Sequence, residues 1–195
     1  VRRNTADIGA QIDYAAYALS VYRPGFAEAY NNLANAFLSR GRFEDAAAYY
    51  TAALRIQPQY ALAEYGLGSA LANQGRTREA IAHFARAVEL SPDYVEALSG
   101  LAWMLATDGD AALRDGVRAV RLAERARGVA GTDNPRLLDT LAAAYAETGE
   151  YARAADTAQR AAALARSSGS EAWAQDIEKR AELYARGLPF RSAPQ

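Results

Sequence analysis

A chain of 195 residues, 51% of them apolar, is long enough to bury a core as one domain or a short array of units. With 22 basic residues against 23 acidic ones and a net charge of −1, it predicts neither a nucleic-acid surface nor a polybasic membrane patch. The lack of cysteine removes disulfides and thiolate chemistry but leaves the compartment open, and no apolar run reaches the roughly 20 residues of a bilayer-spanning helix.

Residues 1–5 are polar. From Ala6 to Tyr22, the apolar Ile8, Ile12, Ala15, Ala16, Leu19 and Tyr22 recur at helical spacing and predict a helix. Pro24 lies 34 residues before Pro58, so residues 1–26 are expected to be the remnant of a preceding repeat. The chain opens on Val1 with no initiator methionine and no apolar leader, and is read as a segment of something longer.

The stretch 27–94 is one unit written twice. Shifted by 34 residues, Leu33 falls on Leu67, Gly41-Arg42 on Gly75-Arg76, Ala46 on Ala80, Ala53 on Ala87, Pro58 on Pro92 and Tyr60 on Tyr94. A fixed period of about 20–50 residues marks stacked repeats. Each unit runs through an apolar-periodic stretch, a Gly-centred turn, a second stretch and a proline, which spells two antiparallel helices and a linker. The helices are predicted at about 27–40, 43–57, 61–74 and 77–91. Ala46, Ala53, Ala80 and Ala87 should sit where helix axes come closest.

Eight residues of the first unit, Tyr30, Leu33, Ala34, Phe37, Ala46, Tyr50, Ala53 and Pro58, resemble the signature of the tetratricopeptide repeat family. The second unit matches at Leu67, Gly68, Ala80, Phe84, Ala87 and Pro92, and departs at Glu64 and Leu71, where the family prefers aromatics. The resemblance is most specific over 27–94 and extends to about 165. It implies an all-α, right-handed superhelical array of antiparallel helix pairs, with repeats at 27–60 and 61–94.

A third, repeat-like unit is expected at 95–131, opening with Val95, Leu98, Leu101, Ala102 and Leu105. Its second helix, with Ala119, Ala123 and Ala126, arrives about five residues late, behind an insertion at 108–116. A fourth repeat-like unit is expected at 132–169, carried by Leu138, Leu141, Ala142, Tyr145, Gly149, Ala154, Ala158 and Ala161. In 170–188, Trp173, Ile177, Ala181 and Tyr184 form one apolar stripe, so this helix is expected to cap the array. The tail 189–195 is expected to be flexible. The wording of 98–190 also resembles the closing repeats of long bacterial proteins, some of which follow a multi-pass membrane glycosyltransferase-like region.

Reactive constellations are sparse. His83 is the only histidine and has no cysteine or second histidine to share a metal, so it reads as a surface or groove-edge residue. Gly66-Leu67-Gly68 lies in a helical run, which argues against a dinucleotide loop. Asp108-Gly109-Asp110 fails the calcium-loop spacing, because Ala111 and Ala112 provide no ligand. No catalytic residue, cofactor or metal site is assigned.

Function is therefore expected from shape. The family resemblance implies that first helices line a concave groove that holds a partner peptide or helix. Its lining would be Asn31, Asn35 and Leu38, then Tyr65, Ser69 and Asn73, then Ser99 and Trp103, with Glu96, Asp139 and Ala143 also outward. Trp103 either opens to that groove or lies under the 108–116 insertion. Family members that clamp a C-terminal carboxylate use cations at such places, and Asn31, Gly66 and Glu96 do not supply them. The reading is a non-catalytic scaffold or adaptor for another protein or peptide, without nucleic acid and without membrane insertion by this segment. The alternative is a docking or assembly arm of a larger, membrane-anchored glycosyltransferase-like enzyme. Self-association through an array end is a third route.

Overall fold

The computed structural model describes residues 26–192. Among them are nine α-helices and no strand: α1 (Phe26–Leu38), α2 (Phe43–Ile56), α3 (Ala61–Asn73), α4 (Thr77–Leu90), α5 (Val95–Thr107), α6 (Gly116–Ala130), α7 (Pro135–Glu147), α8 (Tyr151–Ser167) and α9 (Glu171–Ala185). A short 3-10 turn, Ala111–Leu113, stands between α5 and α6. The helix expected at 6–22 lies outside the described residues. No described helix is long and apolar enough to cross a membrane. The chain divides into two compact units, Val1–Ser91 and Pro92–Gln195.

In the first unit, α1 packs on α2, α2 on α3 and α3 on α4, as antiparallel hairpins in series. Both hairpins close in the same way. Gly41 and Gly75 adopt φ of 71° and 72°, a left-handed conformation that costs a glycine no Cβ clash. The next amide then reaches back to cap the helix end: Arg42 N–H donates to the Phe37 carbonyl at 3.0 Å, and Arg76 N–H to the Leu71 carbonyl at 2.9 Å.

Small residues set how closely these helices approach. Ala46, Ala53, Ala80 and Ala87 are fully buried. Gly66 and Gly68 approach still closer. A Cβ built on Gly66 would lie 2.2 Å from Tyr50 Cε1, and one on Gly68 would lie 2.9 Å from the Phe84 ring and 3.2 Å from the Ala80 carbonyl oxygen. Gly66-Leu67-Gly68 is thus a packing seam inside α3.

In the second unit, α5 packs on α6 and α7, α7 on α8, and α8 on α9. Leu138, Leu141, Ala142, Tyr145, Ala158 and Ala161 form a core with Ile177, Ala181 and Tyr184 of α9. The apolar stripe of the last helix is therefore spent on covering α8. The tail departs from the expected flexible segment. Gly187 closes α9, and through Ser192 the chain folds back onto α5, where Ser192 N–H donates to the Thr107 carbonyl at 2.9 Å. Four residues without periodicity carried no signal for that docking. Residues 193–195 lie outside the described residues.

The seam yields a paired prediction. Gly66→Ala is expected to lose about 1–3 kcal/mol, because Tyr50 is fully enclosed and its ring cannot retreat from the new methyl. Gly128→Ala in α6 meets nothing within 4 Å and should gain about 0.5–1 kcal/mol from reduced backbone entropy. Urea denaturation of both variants checks the contrast, and a Gly66→Ala midpoint equal to the parent would remove the seam.

Candidate functional site

On the first-helix face of the first unit, the expected lining residues separate into two groups. Asn31 is only 5% exposed and its Oδ1 is buried without a hydrogen-bond partner. It falls four residues after Ala27 and three before Ala34, both fully buried, so helical spacing turns it inward with them. Asn35 and Asn73 are exposed, and Leu38, Tyr65 and Ser69 are half-buried. These residues belong to α1 and α3, which touch.

Neighbours orient the two exposed amides differently. The Tyr50 hydroxyl donates to Asn35 Oδ1 at 2.5 Å. Burial, with Tyr65 adding, pushes the Tyr50 phenol up to about 12, so it remains a donor across the physiological range. That leaves Asn35 with its amide hydrogens to offer. Asn73 Nδ2 instead donates to the Ser69 carbonyl at 2.8 Å, which leaves its Oδ1 as an acceptor. Tyr65 leans on Phe84 with ring centroids 5.6 Å apart.

Beside this face, Glu64 is 8% exposed and His83 Nδ1 lies 2.6 Å from its Oε2. A carboxylate only accepts, so Nδ1 carries the proton in this contact. His83 is therefore a half-buried partner for a buried acid that stands where the repeat pattern prefers an aromatic.

In the second unit the expected residues are largely covered. Ser99 is buried, with its Oγ 3.2 Å from Thr140 Oγ1. Trp103 is half-buried, and the cover over it is Phe190 of the tail, at 5.9 Å between ring centroids. The 108–116 insertion is otherwise engaged. Asp108 and Asp110 accept from backbone amides two residues ahead, at 2.7 and 2.9 Å. Arg114 holds the loop from inside, donating to the Asp108 carbonyl at 2.9 Å and to Glu147 Oε1 at 2.9 Å. The Asp carboxylates thus serve the turn itself.

One buried polar contact of the unit carried no sequence signal. Arg180 of α9 forms a two-pronged pair with Asp139 of α7, at 2.7 and 3.0 Å, and Asp139 is 5% exposed. Burial pushes the Asp139 carboxyl up, more than the Arg180 guanidinium pulls it down. Arg180 also lies 5.6 Å from the Trp103 ring centroid and 5.5 Å from that of Phe190, within cation–π reach of both. Glu147 receives Arg191 as well, with Nη2 2.6 Å from Oε2, an ion pair without hydrogen-bond alignment.

Paired antiparallel helices with a 34-residue period, glycine-closed turns and alanine seams define a helical-hairpin repeat protein. Tetratricopeptide repeat models match residues 27–60 and 65–113. These two stretches are tetratricopeptide repeats, and repeats of that family are generally non-catalytic scaffolds for protein interaction. Among solved structures, it is similar to MamA, residues 41 to the end, from Desulfovibrio magneticus RS-1, with a TM-score of 0.58 and 20% identity over 82% of this chain and 95% of that one. A second MamA structure gives a TM-score of 0.61 and 17% identity over 85% of this chain and 91% of that one. At that identity the likeness shows the fold. No curated protein matches.

The buried pair makes a pH-dependent prediction. Arg180→Leu is expected to cost about 3–5 kcal/mol at pH 7 by stranding the Asp139 carboxylate. Because the Asp139 carboxyl is raised in the folded chain, its favourable contribution is present at low pH and is lost as pH rises through its folded value. Without the guanidinium that value rises further, so the deficit against the parent should shrink between pH 7 and pH 5. Thermal melts across that range check it, and a deficit that is flat or grows on acidification would contradict it.

Proposed function

We propose that the chain is a protein-interaction scaffold whose first-helix face in the first unit binds an extended segment of a partner protein. The observation that carries this reading is the complementary setting of two exposed amides on neighbouring first helices. Asn35 is left with donors and Asn73 with an acceptor, which suits a backbone that alternates N–H and C=O. Leu38 and Tyr65 add apolar area beside them, and the Tyr65 ring offers it with little rotamer entropy to lose. Recognition of this kind reads backbone first and side chains second, as expected of a scaffold that accepts extended peptide.

Selection from a random-peptide display library against the whole chain tests the reading. Selected peptides should bind the parent, and Tyr65→Ala or Asn73→Ala should weaken them by about tenfold or more, the range of a hot-spot residue. Unchanged affinity in both variants, with helicity retained, would place binding on another face.

A further inference from the structure

The second unit already holds an extended segment on its first helices, and that segment is its own tail. After Gly187 the chain leaves helical geometry and crosses the C-terminal ends of α5 and α7. Three consecutive residues are read by three different chemistries. Phe190 lies against both the Trp103 indole, at 5.9 Å between ring centroids, and the Arg180 guanidinium, at 5.5 Å, in the slot where those two groups meet. Arg191 pairs with Glu147 Oε2 at 2.6 Å and donates to the Ala106 carbonyl at 3.3 Å. Ser192 donates to the Thr107 carbonyl from its backbone N–H at 2.9 Å and from its hydroxyl at 3.0 Å. An aromatic slot, a carboxylate for a cation and backbone pairing are what a short peptide motif requires.

The tail is held in place but shallowly. Leu188 remains 45% exposed, Phe190 to Ser192 are only half-buried, and the Arg191 side chain keeps a third of its surface in water. So few contacts hold a segment chiefly because it is tethered, since a short tether supplies an effective concentration on the order of mM. The same contacts are available to a segment of another chain whenever the tail lifts.

We propose that the ends of α5 and α7 form a binding site for an extended partner segment carrying an aromatic residue followed by arginine, and that the chain's own tail occupies it in cis as a displaceable ligand mimic. The proposal rests on the reading of first-helix faces as peptide surfaces and carries it to the second unit, with a motif attached. Charge complementarity decides the class of occupant. Glu147 already balances Arg114 with one oxygen, so a second guanidinium completes its pairing, whereas an acidic segment would strand it.

The test uses a synthetic peptide of sequence Leu-Pro-Phe-Arg-Ser-Ala-Pro-Gln and the chain carrying Trp173→Phe, so that Trp103 is the only indole. In the full chain with Phe190→Ala and Arg191→Ala, the Trp103 emission should shift to the red, and added peptide should reverse the shift in a saturable way. The chain with its native tail should bind the same peptide about tenfold more weakly or worse, because the tethered segment competes. Replacing the peptide's Phe by Ala or its Arg by Glu, or changing Glu147→Gln in the chain, should each reduce binding by about tenfold or more, the range of a hot-spot contact. If the double variant stays helical but shows no saturation up to about 1 mM peptide, near the concentration the tether itself supplies, the site is not a peptide site. If the double variant loses its helicity, the tail is an integral part of the fold and not displaceable, which also overturns the proposal. Either failure leaves the first-unit reading standing if library peptides still depend on Tyr65 and Asn73.

Discussion

Close approach of helices through small residues is the constraint on which this structure depends. Apolar helices stacked in pairs gain dispersion energy only where axes come near, and the side chain at the crossing sets the distance. Here the crossings fall on Ala46, Ala53, Ala80 and Ala87, each enclosed completely, and on the glycines of α3, where even a methyl group would collide with Tyr50. The larger side chains then fill the spaces between crossings: Tyr50 beneath Gly66, Phe84 beneath Gly68, Leu98 and Leu101 in the second unit. The glycine-closed turns follow from the same demand, because the chain must reverse within a few residues to keep its helices adjacent.

An alanine seam by itself is nearly featureless, and a one-turn slip would leave much of it still packed. What such seams lack in shape, polar pairs with at least one buried partner supply. Tyr50 bonds Asn35 between α1 and α2, Glu64 meets His83 between α3 and α4, Ser99 meets Thr140 between α5 and α7, and Asp139 pairs with Arg180 between α7 and α9. Each is a point contact between specific residues. A slip separates the partners and leaves at least one buried group unsatisfied, at about 1–3 kcal/mol per pair. In an Ala-rich array, that penalty distinguishes the observed register from its neighbours.

The same division explains what could be read from the sequence. The hairpins were legible because their determinants are local and repeated: Gly41 and Gly75, Pro58 and Pro92, and the apolar spacing of each helix. The late second helix of the third unit was legible as an insertion, but its organisation around Arg114 was not. Glu147, the acceptor of that arginine, stands 33 residues away and its identity depends on the fold. Asp139 and Arg180 are 41 residues apart, and no spacing rule connects two charges on separate helices. Asn31 was assigned outward by analogy with the repeat pattern, and the inward phase set by Ala27 and Ala34 prevailed. For Trp103 the sequence leaves exposure and cover by the insertion both open, and the ring found against it is Phe190 of the tail, which lies beyond the reach of any periodic signal.

Arg180 connects the fold to the face it presents. One edge of its guanidinium satisfies Asp139 in the core of the second unit, while its plane lies near both Trp103 and Phe190. A lysine could neutralise the aspartate, but an ammonium group has neither the two-pronged geometry nor a flat surface for aromatic rings. Lys179 is the only lysine in the chain, and the neighbouring position that performs both roles is an arginine. Because one planar cation closes the core pair and forms a wall of the aromatic slot, the slot inherits the rigidity of the buried ion pair. The tail is therefore received by a site whose shape is set by the fold beneath it, and only the occupant has freedom to change.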